Sequence, residues 1–280
     1  MKLNSCRAPL IIKNKMNKQN IDKDFLSVLG DKYDKDFFTD KNGSLRQELD
    51  KTGVLVLPDF VSASTLKALQ EEADILKKNA YKSESVYNLY VLPDDKSLSP
   101  DAPRNRKFRT TKGCVPDDQI PKKSILRKIY EADIFRGFMC KMQRLINIYS
   151  YSDNLSSINI NYYDPDDSLE WHFDNADFAV TLLVKNPKKG GIYEYFPNMR
   201  YGAESKEDYE TLRKILDRKL KPKRVLMGEG TLMIFRGNRS LHRVTKVEVG
   251  ERVLITLNYN IKPRIPLSEK SRMTFFGRTK

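Results

Sequence analysis

"EWHFDNADFAVTLLV", residues 170–184, sets one of the chain's two histidines two positions before an aspartate, at the start of an apolar run. Around it the hydrophobic period is two. Upstream, "SSININYYD" (156–164) alternates Ile158, Ile160 and Tyr162 against Asn159, Asn161 and Tyr163, the pattern of a half-buried strand. Downstream, "GGIYEYF" (190–196), "GTLMIFRG" (230–237) and "RVLITLNYN" (252–260) read as further strands, with Gly, Pro or Asn between them. A charged insert, "ESKEDYETLRKILDRKLKPKR" (204–224), predicts one solvated amphipathic helix among these strands.

Before residue 155 the period is helical. Residues 45–51 predict a short helix, and "GVLVLPDF" (53–60) a strand stopped by Pro58. Ser62 or Ser64 caps a helix over 65–79, with Leu66, Leu69, Ala73 and Leu76 on its apolar face. Residues 81–123 read as irregular, and "SILRKIYEADIFRGFMCKMQRLINI" (124–148) as one or two helices. Helices first and strands afterwards predict an α+β fold, a β-sandwich or jelly roll buttressed by N-terminal helices. The expected organisation is a loosely held basic arm with one short helix over 1–44, then a single domain over 45–280. Within that domain lie helical support (about 45–150), a strand core (about 155–262) and a C-terminal segment (263–280).

The 280 residues carry a formal charge of +14. A basic face for nucleic acid is one reading of that charge. The lysines, however, are spread over the arm, 185–189 and 213–224 and mixed with acids, and no nucleic-acid motif organises them, so a solvated surface is preferred. Cys6, Cys114 and Cys140 form neither a metal clip nor a disulfide framework. The first twenty residues hold no signal-peptide core, and no stretch approaches a membrane span. The expectation is a soluble protein of the reducing cytoplasm, with no membrane partner.

Two imidazoles and one carboxylate on one face are the ligand set of a non-haem Fe(II) centre that activates O2. His172 and Asp174 at a strand end, with His242 on a later strand, have the order and spacing for it. The co-substrate 2-oxoglutarate carries a distal carboxylate that suits a permanently charged, bidentate partner. Arg252, ten residues after His242, opens a strand whose alternation puts Arg252, Leu254, Thr256 and Asn258 on one face.

"WHFDNADFAVTLLVKNPKKGGIYEYFPNMR" (171–200), "GTLMIFRGNRSLHRVTKVEVGERVLITLNYN" (230–260) and "TFFGR" (274–278) together resemble a group of Fe(II)/2-oxoglutarate oxygenases. It contains the radical halogenases of free lysine and their hydroxylase relatives. "TGVLVLPDFVSASTLKALQEEADIL" (52–76) is similar to the N-terminal support of phytanoyl-CoA-hydroxylase-like folds. The resemblance implies a cupin-like double-stranded β-helix, with iron on His172, Asp174 and His242 and 2-oxoglutarate on Arg252. Halogenase members have glycine at the position of Asp174, which opens a place for chloride, so the aspartate implies hydroxylation. Family members act on free amino acids, several of them cationic, and a basic one such as lysine is the expected substrate.

Asn161 and Thr256 are the further candidates for holding the co-substrate. For the substrate, Asn175 stands where the lysine halogenase has an acid that contacts it. Glu194 either orients a ligand, binds an amine or lies exposed on its strand. Phe275 and Phe276 either wall the pocket or pack the C-terminal segment on the barrel. Trp171 reads as packing beside the ligands. Two other functions stay open: the same iron chemistry on a protein side chain or methylated nucleobase, and a cupin-like binding protein without catalysis. The oligomeric state is unknown from the sequence.

Overall fold

A computed structural model describes residues 21–200 and 208–280. Helix α1 (Ser44–Thr52) leads into strand β1 (Val54–Leu57), and helix α2 (Ala63–Leu76) follows. Ser62, not Ser64, caps α2, its hydroxyl accepting from the Thr65 amide at 3.2 Å. Its buried face is Thr65, Leu69, Ala73 and Leu76, and its last expected residues form a short 3-10 turn. The 124–148 stretch makes two helices, α3 (Ile125–Glu131) and α4 (Asp133–Gln143). The bend falls at Ala132, whose extended backbone interrupts the helical run.

The strand half begins with β4 (Ile158–Tyr163), β5 (Leu169–His172), β6 (Ala179–Lys185), β7 (Lys189–Gly190) and β8 (Tyr193–Phe196). It continues with β9 (Lys223–Val225), β10 (Leu232–Phe235), β11 (Leu241–Val244), β12 (Val247–Val249) and β13 (Arg252–Leu257). Two strands come from the region expected to be irregular: β2 (Tyr81–Asn88) and β3 (Lys107–Val115) pair in full register. Their faces are too mixed in polarity for alternation to reveal them. Thr, Ser and Lys fill positions where an apolar residue would have marked a strand, and the loop between them is held by Asn105, whose side chain bonds the backbone of Asp95, Leu98 and Ser99.

A major sheet runs β1-β10-β6-β13-β4-β3-β2 and a minor sheet β5-β11-β8-β9, every pair antiparallel. The two sheets face each other as a double-stranded β-helix, the α+β architecture expected. One face of the major sheet carries Ile158, Ile160, Val253, Ile255 and Leu257 into the core shared with α2, α3 and α4. The other carries Leu254 and Leu183 against Tyr193, Tyr195 and Val244 of the minor sheet. Each fully buried side chain of this size stabilises the fold by about 1.5–3 kcal/mol. Strand β4 is therefore buried on both faces, not half-buried, and its asparagines are satisfied internally.

Residues 21–44, expected in the loose arm, are instead packed. Phe25 and Phe38 sit 5.3 Å apart in an aromatic cluster with Phe60, Phe135 and Phe138. Their charged neighbours disguise the segment in the sequence. The rest of the arm, with Cys6, lies outside the described residues; Cys114 and Cys140 are free thiols. The charged insert yields α5 (Tyr209–Leu216), shorter than expected and with Leu212 and Ile215 buried beside Trp171 and Phe173. A last helix, α6 (Glu269–Phe276), is capped by Ser268. Among the described residues no helix is long and apolar enough to cross a membrane.

Candidate metal centre

Antiparallel pairing makes His172 on β5 and His242 on β11 direct cross-strand partners, with ring centroids 4.3 Å apart. Each Nδ1 lies against the backbone carbonyl two residues earlier, His172 on Glu170 at 2.7 Å and His242 on Ser240 at 2.9 Å. Nδ1–H donating there leaves both Nε2 lone pairs aimed at one point. Asp174, on the loop after β5, brings Oδ1 to 3.4 Å from Nε2 of His172 and 3.6 Å from Nε2 of His242. Among the described residues these three form the one cluster able to hold a metal ion.

Burial, and second to it the neighbouring His242 ring, pushes His172 below its ordinary pKa, which favours the neutral imidazole that can ligate. Burial alone would raise Asp174; the two histidines outweigh it and hold the carboxyl well below the usual carboxylate range. Aromatic rings wall the cluster. Tyr193 stacks on His242 at 5.7 Å, Phe235 meets it edge-on at 5.1 Å, and Tyr87 meets His172 edge-on at 6.2 Å.

Gly237 is a site residue the motif reading missed. The Asp174 amide donates to its carbonyl at 3.0 Å. A Cβ on Gly237 would overlap Oδ2 of Asp174 and come within 2.6 Å of its Cγ and 2.9 Å of Cε1 of His242. Its signal was its place five residues before His242, at the end of an apolar strand.

Arg252 is 2% exposed at the start of β13, paired with Tyr163, whose ring lies 5.5 Å from its guanidinium. No hydrogen bond reaches its Nη1 from the described residues. A buried guanidinium without an acceptor is costly, so this donor fits an anionic ligand. Burial lowers its pKa without threatening its charge. The buried hydroxyl of Tyr193 likewise lacks a partner among the described residues, and the sequence reading passed over it for its neighbour.

That neighbour, Glu194, is corrected as a substrate contact. It points away from the histidines, 1% exposed, and both its oxygens are held by Arg224 and Arg243 at 2.7–2.9 Å. Period two puts Tyr193 and Tyr195 inward and Glu194 outward, where Arg243 also covers Trp171. Asn161 and Thr256 share the inner face with Arg252. Asn161 accepts from Lys112 Nζ at 2.7 Å and donates toward Thr256 Oγ1 at 3.4 Å. Lys112 itself was missed; its ammonium lies 5.2 Å over the half-buried Phe275 ring, and among the described residues it has no ion pair. Phe276 packs with Cys114 and Leu155. Asn175 lines a cavity of about 250 Å3 with Asp177, Tyr151, Tyr259 and the Ser268–Ser271 turn.

The family model described as halogenase D matches residues 37–271. A comparison with curated proteins finds no match. Among solved structures, a 2OG-Fe(II) oxygenase family oxidoreductase from Burkholderia pseudomallei is similar at 14% identity and TM-score 0.51, over 80% of this chain and 92% of that one. The non-heme alpha ketoglutarate dependent carbocyclase SnoK from nogalamycin biosynthesis is similar at 11% identity and TM-score 0.54, over 85% and 92%. AviO1 from Streptomyces viridochromogenes is similar at 10% identity and TM-score 0.52, over 81% and 97%. At these identities the likeness is one of fold.

Proposed function

The chain belongs to the halogenase D family, and on that premise we propose that it is an Fe(II)- and 2-oxoglutarate-dependent oxygenase that hydroxylates an unactivated C–H bond of a free amino acid, a basic one such as lysine. The observation that carries this reading is the convergence of His172, Asp174 and His242 in one barrel with a buried Arg252 whose Nη1 meets no acceptor among the described residues. Fe(II) with 2-oxoglutarate and O2 supplies the oxidising power for C–H hydroxylation, with succinate and CO2 as the by-products.

The triad would hold the metal through its two imidazoles and its carboxylate. Arg252 takes the distal carboxylate of 2-oxoglutarate, and the Tyr193 hydroxyl is free to donate to the same molecule. The aromatic wall keeps water from the reacting centre. Asp174 decides between outcomes, because a halide needs the coordination position its carboxylate holds. That supports hydroxylation over chlorination.

An amino acid offers a carboxylate and an ammonium. Lys112 on the inner face is a cation awaiting the first, and Asp177 on the rim of the Asn175 cavity is an exposed anion suited to the second. The cavity's size supports a free amino acid over a macromolecular substrate. The two described cysteines, both unpaired thiols, support a cytoplasmic site of action. The test is aerobic incubation with Fe(II), ascorbate and 2-oxoglutarate against each free amino acid. The expected result is a product heavier by one oxygen atom together with substrate-dependent succinate. Succinate formation that no amino acid stimulates overturns the substrate assignment.

A further inference from the structure

Arg252 forms part of the floor of a second cavity, of about 340 Å3, which shares no residue with the one lined by Asn175. Its floor is buried: Leu183, Tyr193, Met227 and Arg252. Its rim is solvent-exposed and includes Lys188, Lys189 and Leu226, the last 81% exposed. The same Tyr193 that lines this cavity stacks on His242, so the cavity leads from bulk water to the guanidinium and is one ring away from the histidine pair.

We infer that 2-oxoglutarate enters and succinate leaves through this opening, while the amino-acid substrate uses the Asn175 cavity. The inference rests on the function proposed above. Charge is graded along the passage, with Lys188 at the surface and the unpartnered Arg252 at depth; Lys189 on the same rim is engaged by Glu248 at 2.5 Å. Such a gradient draws a dianion inward. A turn without side chains lies directly against Arg252. Gly190 and Gly191 adopt φ of +80° and +64°, and a Cβ on Gly191 would come within 2.7 Å of Pro187 Cγ and 3.0 Å of Arg252 Cδ. Were the Asn175 cavity the only door, a bound amino acid would shut the co-substrate in. With two doors each ligand has its own route.

The test is stopped-flow mixing of 2-oxoglutarate with the Fe(II)-loaded protein without O2, with Kd from calorimetry on the same samples. Leu226→Trp narrows the mouth from an exposed position that contacts no bound ligand. It is expected to slow association and dissociation alike, by about tenfold, with Kd unchanged, because a gate alters rates and not the bound state. Lys188→Glu is expected to slow association and to flatten its dependence on ionic strength. Ile261→Trp, on the exposed rim of the other cavity, is expected to leave the 2-oxoglutarate rates as they were. Unchanged rates in Leu226→Trp, or slowing in Ile261→Trp, overturn the second door while leaving the proposed function standing. Absence of any 2-oxoglutarate binding to the loaded wild-type protein overturns both.

Discussion

At Gly237 the absence of one carbon atom gives the third ligand its room. Gly237→Ala puts a methyl group where Asp174 Oδ2 lies, so the carboxylate must swing off the point the two imidazoles share. The expected result is a loss of metal affinity of about tenfold or more with the fold retained, read by anaerobic Fe(II) or Mn(II) titration beside a melting curve. Asp174→Gly is expected to abolish hydroxylation and to vacate a position that chloride or azide can take. Hydroxylation at wild-type rate in that variant, with no carboxylate added, contradicts the ligand role. Arg252→Ala is expected to weaken 2-oxoglutarate binding by about a hundredfold while the metal still binds, and Arg252→Lys to recover part of it, since lysine keeps the charge without the planar fork. Calorimetry on the Mn(II)-loaded protein measures both.

Between elements, Asp50 near the end of α1 ties three pieces together. Its oxygens meet Arg144, which caps the C-terminus of α4, and Arg236, which follows β10, each at 2.7 Å. Arg236 directly precedes Gly237, so this cluster steadies the loop under the metal site. Burial would raise the Asp50 pKa; the hydrogen bonds and charges of the two arginines outweigh it and leave it lowered. A depressed carboxylate stabilises the fold at pH values above its unfolded value of about 4, and that contribution fades as pH falls through the lower folded value. Asp50→Asn is expected to cost about 1–2 kcal/mol at neutral pH and nothing once wild type is itself protonated, as denaturant titrations at pH 7 and below 3 measure. How much of this was legible follows the strength of the local signal. Strands with continuous apolar runs, the helix capped by Ser62 and the triad with Arg252 stand out, because burial and ligand chemistry restrict the residue types there. The β2–β3 hairpin was hidden because one of its faces carries Thr110, Lys112, Ser83 and Ser85, polar residues where alternation would need apolar ones. Glu194 was misplaced and Tyr193 missed for a related reason: alternation separates two faces without saying which is inward. Lys112 and Gly237 become visible only when the sheets are assembled around them.

For the molecule as a whole, metal binding and folding are linked, since the three ligands converge only when β5 and β11 are paired. Any metal that binds the folded chain alone stabilises it, by about 2.7 kcal/mol at a concentration about a hundred times Kd. A chelator is therefore expected to lower Tm, and Mn(II) to restore it in the wild type but not in His242→Ala; scanning calorimetry reads the difference. Both histidine ligands are carried by the minor sheet, while Arg252, Asn161 and Lys112 belong to the major one. The histidine pair and the buried Arg252 thus hang on opposite walls, and between them lies the layer made by Leu183, Leu254, Met233, Phe235 and Val244. Under the proposed function, the distance between the histidine pair and Arg252 is then set by wall thickness, open to retuning by core residues that meet neither ligand.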